Sequence, residues 1–212
     1  MQIVIKASPD QKACLESMEW AEGLQLLWAE DSSFIKNADA YFDFCFEEEG
    51  WAFEAIKSLP VFVNAVCKTS DHLPSNAIRL NAWKSFLERP TWEIATLNDT
   101  FKQTSVAFLE SIGRKAILVP DEPGFIAVRI VSMIINEAYF ALGEEVSSKE
   151  AMDIALKLGT NYPYGPFEWA ELIGLHKIKK LLEILQLNDD RYAPAPALLQ
   201  DLANNIISPE SR

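Results

Sequence analysis

The chain of 212 residues is 49% hydrophobic and 24% charged, the balance of a globular protein rather than of a disordered tract or a fibrous repeat. A formal net charge of −12 without any run of Lys or Arg excludes a surface built on phosphate-backbone contacts, so no nucleic-acid partner is expected. Cys14, Cys45 and Cys67 lack CxxC spacing and lie far from His72 and His176, and no apolar run spans a membrane or follows a charged leader; no metal site, no disulfide framework, no membrane anchor and a reducing cytoplasm are therefore expected.

Ile3 to Lys6 opens the chain as a short buried strand. Ser8-Pro9-Asp10-Gln11 follows with the spacing of a capping box: Ser8 is the N-cap, Pro9 takes the first helical position and Gln11 reaches back, so a helix is expected to about Glu22. Leu24 to Trp28 reads as a second strand, closed by the acidic Glu30-Asp31. Ala40 to Phe46 reads as a third, rich in the aromatics that strands favour. Trp51 to Leu59 carries a helical pattern, Val61 to Val66 and Ala77 to Trp83 read as strands, Leu97 to Ile112 as a helix and Ala116 to Val119 as a last strand. Strands alternating with helices predict an α/β domain over residues 1–119, with a mostly parallel sheet in three layers.

Pro120 and Pro123 then punctuate a linker, and residues 120–212 read as all-α. Phe125 to Leu142 is apolar on nearly every side, with Arg129, Ser132, Asn136 and Glu137 falling on one stripe, the pattern of a buried central helix. Ser147-Ser148-Lys149-Glu150 forms a second capping box and opens a helix that should end at Gly159, which tolerates a left-handed stop. Leu158 to Trp169 makes a rigid aromatic corner, and Pro166 fits the first turn of the helix after it. Leu175 to Leu187 completes the bundle, with a short tail helix around Leu198 to Ile206.

Pro123-Gly124-Phe125-Ile126, Arg129, Asn136-Glu137-Ala138, Gly159-Thr160-Asn161-Tyr162-Pro163 and Gly165-Pro166-Phe167-Glu168, in that order and spacing, resemble the C-terminal signature of the 3-hydroxyacyl-CoA dehydrogenase family. Upstream, Ala38 to Asp43 with Glu47-Glu48 is similar to the family's strand before its cofactor-side helix, and Asn81-Ala82-Trp83 with Arg89-Pro90 and Glu93 is similar to its catalytic strand and loop. The resemblance implies a reduced Rossmann-like sheet followed by a helical dimerisation domain. It also implies a homodimer, an acyl-CoA-like ligand, NAD as cofactor, a role in fatty acid metabolism and oxidation of a 3-hydroxyl by a His base that a Glu orients.

Several parts of that machinery differ here. The family's His falls at Asn81 and its orienting Glu at Glu93, so the carboxylate stays while the proton acceptor is an amide, which does not titrate near neutral pH. The substrate-side Asn falls at Val128, and a family Ser lies near Ala65 or Val66, so neither polar side chain is present. On the cofactor side, Lys6-Ala7-Ser8-Pro9-Asp10 holds no glycine for the phosphate turn, and its own cap consumes the N–H groups a pyrophosphate would use. Glu30 or Asp31 stands where the ribose-binding acid belongs. Glu93 and Asn81 are therefore the candidate catalytic positions, Glu30 and Asp31 the candidate cofactor contacts. His72, in the loop before the Asn81 strand, reads as solvated. Three functions fit: a dehydrogenase-like protein with lost or weak catalysis, an active NAD-dependent dehydrogenase, and a dimeric structural subunit without ligand.

Overall fold

All six apolar runs read as strands join one sheet in a computed structural model that describes residues 1–29 and 38–207, with the backbone alone for 205–207. The chain divides into two compact units, the first Met1–Phe125 and the second beginning at Ile126. In the first unit the strands are β1 (Gln2–Lys6), β2 (Gln25–Trp28), β3 (Ala40–Asp43), β4 (Val61–Asn64), β5 (Ala77–Leu80), β6 (Thr91–Ala95) and β7 (Lys115–Leu118), interleaved with helices α1 (Pro9–Ser17), α2 (Phe46–Glu49) and α3 (Asp99–Ser111). The sheet order is β2-β1-β3-β4-β5-β6-β7; every pair is parallel except β5 and β6, which run antiparallel.

Central strands of a parallel sheet are covered on both faces and read as unbroken apolar runs, and β1 and β4 have that character. Ile3, Ile5, Phe42, Phe62, Ile78, Leu80 and Ile94 face one core together with Leu15 of α1 and Leu109 of α3. Phe42 stacks on Phe62 there, with ring centroids 4.7 Å apart. Val4, Tyr41, Val61, Val63 and Ala77 face the opposite core, where they meet Phe46, Phe53 and Ile56.

Several sequence-based boundaries are corrected. The helix expected over Trp51 to Leu59 does not form; α2 takes four residues just before it and stops at Gly50, whose φ is 83°. The reason is tertiary: an Asp43 carboxylate oxygen accepts the Ala52 N–H at 2.9 Å, while Phe53 and Ile56 turn under the sheet, Phe53 with its ring 5.1 Å from Tyr41. The first helix ends at Ser17 rather than near Glu22, because the Trp20 indole N–H donates to the Leu15 carbonyl at 2.9 Å and closes the helix end. β6 is a strand that sequence patterning leaves unassigned, although Trp92 and Ile94 alternate with Thr91 and Glu93 as a half-buried strand requires.

The second unit holds α4 (Ala127–Gly143), α5 (Lys149–Thr160), α6 (Pro166–Ile173), α7 (Leu175–Gln186) and α8 (Pro196–Ile207). The central helix α4 packs against α6, α7 and α8. Its polar stripe splits: Ser132 and Asn136 are buried, whereas Glu137 is exposed and Arg129 half-buried. Ser148 caps α5 by accepting the Ala151 N–H at 3.2 Å, so the third residue of that helix is Ala151 and the expected reciprocal box with Glu150 is replaced by a single cap. The left-handed stop after α5 is Asn161, φ 56°, and Gly159 stays inside the helix. Among the described residues no helix is long and apolar enough to cross a membrane.

Candidate functional site

In an open parallel sheet, ligands bind beyond the carboxyl ends of the strands, where the strand order reverses. Here the reversal lies at β1, which has β2 on one side and β3 on the other. At that edge the N-terminus of α1 is already engaged. The Ser8 hydroxyl accepts the Gln11 N–H at 3.3 Å, and the Gln11 side-chain oxygen accepts the Ser8 N–H at 3.0 Å. The amide nitrogen of Gln11 donates to Phe44 O at 3.1 Å and to Ala82 O at 3.3 Å, the first just past β3 and the second just past β5. Between them Asn64, at the end of β4, donates to Phe44 O at 3.3 Å and accepts the Ala82 N–H at 3.0 Å. A dinucleotide pyrophosphate needs free N–H groups at this helix start, and these residues do not fit one. Glu30 and Asp31 lie outside the described residues.

The catalytic candidates lie on or beside neighbouring antiparallel strands. β5 and β6 pair Arg79 with Ala95 and Leu80 with Ile94; Asn81 follows the end of β5, and Glu93 is the residue before Ile94 on β6. Asn81 is 5% exposed and its side-chain oxygen accepts the Trp83 N–H at 3.0 Å, which fixes the amide. Glu93 is half-buried on β6, close enough to Arg89 to act on its charge. Val128, Ala65 and Val66 are fully buried apolar side chains. His72, expected in a loop, is the exposed last residue of a short 3-10 helix, Ser70–His72, and its Nδ1 lies 2.9 Å from Asp71 Oδ1.

Three further groups take roles that the sequence motifs do not assign. Asp43 ends β3 completely buried; burial pushes its carboxyl up to about 6, and its second oxygen meets no polar partner among the described residues. Beside it Lys6 pairs with Glu49 at 2.7 Å, and burial pushes the Cys45 thiol up to about 11, so that it stays protonated at neutral pH. Glu47 of α2 accepts the Cys67 N–H at 2.8 Å and the Trp83 indole N–H at 2.7 Å. Arg79, fully buried in β5, donates to Ala65 O at 3.0 Å and Glu122 O at 3.1 Å, forms an ion pair with Asp121 and stacks over the Phe125 ring at 4.6 Å. Ser70 donates to the same Asp121 carboxylate through its N–H and hydroxyl at 2.8 and 2.9 Å. One buried guanidinium thus holds residues 120–125 to the sheet. A lone Arg inside an apolar strand, or a carboxylate closing one, is the sequence signal for such groups, since buried charges require partners.

In the helical unit the signature residues are architectural. Asn136, 1% exposed, donates to Ala193 O at 2.9 Å and accepts the Ala195 N–H at 2.8 Å, which pins the segment before α8. Gly165 lies where a Cβ would approach within 2.1 Å of an Asp153 oxygen, so no side chain fits there. That oxygen accepts the Phe167 N–H at 2.9 Å, and Glu168 accepts the Gly165 N–H at 2.9 Å while pairing with Lys157. Tyr162 and Tyr164 close the corner with their rings 5.4 and 6.2 Å from that of Trp169. A groove of about 830 Å³ runs along α4 and α5, with Met133, Ile134 and Leu156 in its floor and Arg129, Glu137 and Arg191 as its charged lining.

Residues 124–206 match the family model described as 3-hydroxyacyl-CoA dehydrogenase, C-terminal domain. A 3-hydroxyadipyl-CoA dehydrogenase of Escherichia coli is 39% identical over 104 residues, 48% of this chain and 22% of that protein. A 3-hydroxybutyryl-CoA dehydrogenase of Bradyrhizobium diazoefficiens is 39% identical over 109 residues, 50% of this chain and 37% of that protein. The matched region is therefore well under half the length of these relatives. The crystal structure of (S)-3-hydroxybutyryl-CoA dehydrogenase from Ralstonia eutropha superposes with a TM-score of 0.72 at 24% identity, covering 85% of this chain and 70% of that one, a likeness of fold: a Rossmann-like sheet with a helical domain. Residues 124–206 are thus similar to the C-terminal domain of 3-hydroxyacyl-CoA dehydrogenases, over about two fifths of this chain.

Proposed function

We propose that this chain is a 3-hydroxyacyl-CoA dehydrogenase-like protein whose catalysis is lost or weak, retained as a homodimeric cytoplasmic subunit that holds an acyl-CoA-like ligand beside fatty acid metabolism. The observation that carries this reading is Asn81. By the family resemblance it stands at the position of the family's base, just past the end of β5 beside β6, which carries Glu93, and its side-chain oxygen is committed to the Trp83 N–H. An amide takes no proton near neutral pH, and loss of such a base typically costs about 100-fold to 10,000-fold in rate. The ligand class follows the relatives' names, which are of hydroxyacyl-CoA dehydrogenases.

NADH consumption with acetoacetyl-CoA tests this reading. We expect turnover at least about 100-fold below that of an active dehydrogenase, and turnover at the family's rate would establish the active enzyme instead. Calorimetry with acetyl-CoA should give a saturable heat; its absence would leave a purely structural subunit. Asn81→His by itself should not raise the rate, because a base without a bound hydride carrier has nothing to work with.

The homodimer rests on α4. Arg129 and Glu137 lie two turns apart beside the apolar groove, and Ile130 is 55% exposed on the same helix. A second copy crossing antiparallel about Met133 would bring each Arg to the partner's Glu and cover the apolar surface between. Light scattering should report a dimer that Glu137→Arg weakens and that the exchange Arg129→Glu with Glu137→Arg restores. A monomeric parent chain would remove this part of the proposal.

A further inference from the structure

The crevice beyond β1, β3, β4 and β5 differs from a nucleotide site in how completely its polar groups are used. A site that receives a dinucleotide keeps donors free for the pyrophosphate and lets backbone approach it closely. Here the Gln11 side chain has both amide hydrogens placed on carbonyls, Phe44 O at 3.1 Å and Ala82 O at 3.3 Å. Its oxygen takes the Ser8 N–H at 3.0 Å and the Cys45 Sγ at 3.9 Å, so the whole hydrogen-bonding capacity of the group is spent. Asn64 repeats the bridge one strand deeper, to the same Phe44 O and to the Ala82 N–H. Pro9 has no N–H to offer, and Asp10 puts a negative charge in the first turn of α1 where a phosphate would need a positive field.

We infer that this crevice is a closed seam in which the Gln11 amide joins the ends of β3 and β5, and that the chain takes no nicotinamide dinucleotide at the sheet edge. The inference deepens the proposed function and rests on it, adding that the cofactor platform is lost together with the base. A phosphate at the helix start would have to displace Ser8 from its cap. A nicotinamide passing over the strand ends would have to break the Gln11 and Asn64 bridges, and a substitution at Asn81 alone would leave both obstacles in place.

The full chain is titrated with NADH in the absence of any acyl-CoA, by calorimetry and by nucleotide fluorescence. No saturable signal is expected up to about 1 mM, and saturation below that overturns the inference. Gln11→Ala should lower Tm by roughly 5 °C; an unchanged Tm overturns the bridging role. Gln11→Glu provides the second variant. Its carboxylate loses both donors at neutral pH and regains one when protonated, so its Tm deficit should shrink as pH falls from about 7 to about 4. A deficit that does not change with pH also overturns the bridge. NADH binding without turnover sinks this inference alone, whereas turnover at the family's rate sinks the proposed function as well.

Discussion

The helical unit and the sheet unit use the same device, a side-chain amide joined to distant backbone, for different ends. In the helical unit Asn136 pins Ala193 and Ala195 within a region, residues 124–206, that matches the family model of the 3-hydroxyacyl-CoA dehydrogenase C-terminal domain. In the sheet unit Gln11 and Asn64 fasten strand ends together at the carboxyl edge of the sheet, the edge where open α/β sheets bind their ligands. The same kind of bond therefore serves packing in one unit and occupies a ligand-binding edge in the other. Packing needs an apolar pattern that many sequences supply, but a catalytic edge needs particular groups left without internal partners.

The largest expected effect falls on the sheet unit. Arg79→Met would leave the Asp121 carboxylate and the Ala65 and Glu122 carbonyls without their buried donor, and breaking such a pair costs about 3–5 kcal/mol. Urea unfolding measures this, and a loss below about 1 kcal/mol would mean that residues 120–125 are held by something else. Because the two units can unfold in separate steps, the transitions should be followed with probes in each.

Asp43 gives the next effect, and its sign is diagnostic. The folded carboxyl is raised from 3.8 to about 6, so the folded state holds its proton more tightly than the unfolded state. Stability from this group therefore falls as pH rises from about 4 to about 6 and stays reduced above that, by on the order of 3 kcal/mol. Asp43→Asn removes the penalty: we expect the variant to gain on the parent chain above about pH 6 and to lose that advantage below about pH 4. Parallel pH profiles of the two proteins in denaturant titrations would show that Asp43 is not the titrating group.

Asn136→Ala should cost roughly 2 kcal/mol, since it strands a buried carbonyl and a buried N–H at the segment before α8. Hydrogen exchange should speed up at Ala195 while the sheet amides keep their protection; faster exchange across both units would blur the contrast drawn above. The smallest effects are at the caps. Ser148→Ala in the helical unit should cost about 1 kcal/mol as an ordinary cap loss. Ser8→Ala should cost at least as much, because it also loosens the Gln11 side chain and with it the bridges to Phe44 and Ala82. Equal and small losses at both would argue that the sheet-edge seam has no extra stability.

The fold was legible where the signals are short-range. Ile3 to Lys6, Val61 to Val66 and the capping box at Ser8 each specify their element through contacts a few residues apart, and each element formed, the second strand stopping at Asn64 rather than Val66. The Trp51 to Leu59 segment was misread because its helical spacing is overridden by Asp43 taking the Ala52 N–H and by burial of Phe53 and Ile56. At the candidate site, Asn81 and Glu93 could be named from the family resemblance, whereas the antiparallel pairing of β5 with β6 beside them is a tertiary feature.

From the sequence alone came the two-part plan of sheet followed by helices, the family mark at Gly159 to Trp169 and the absence of both a titrating base at position 81 and glycines after β1. Those are properties of single residues and of their near neighbours. The tertiary structure decided that the amide of Gln11 reaches carbonyls 33 and 71 positions away, that Arg79 anchors Asp121 across 42, and that Asp43 is buried with an unmatched oxygen. Such partners are set by which strand ends come to lie side by side, and that order follows from burying whole faces of the sheet rather than from any local run of residues.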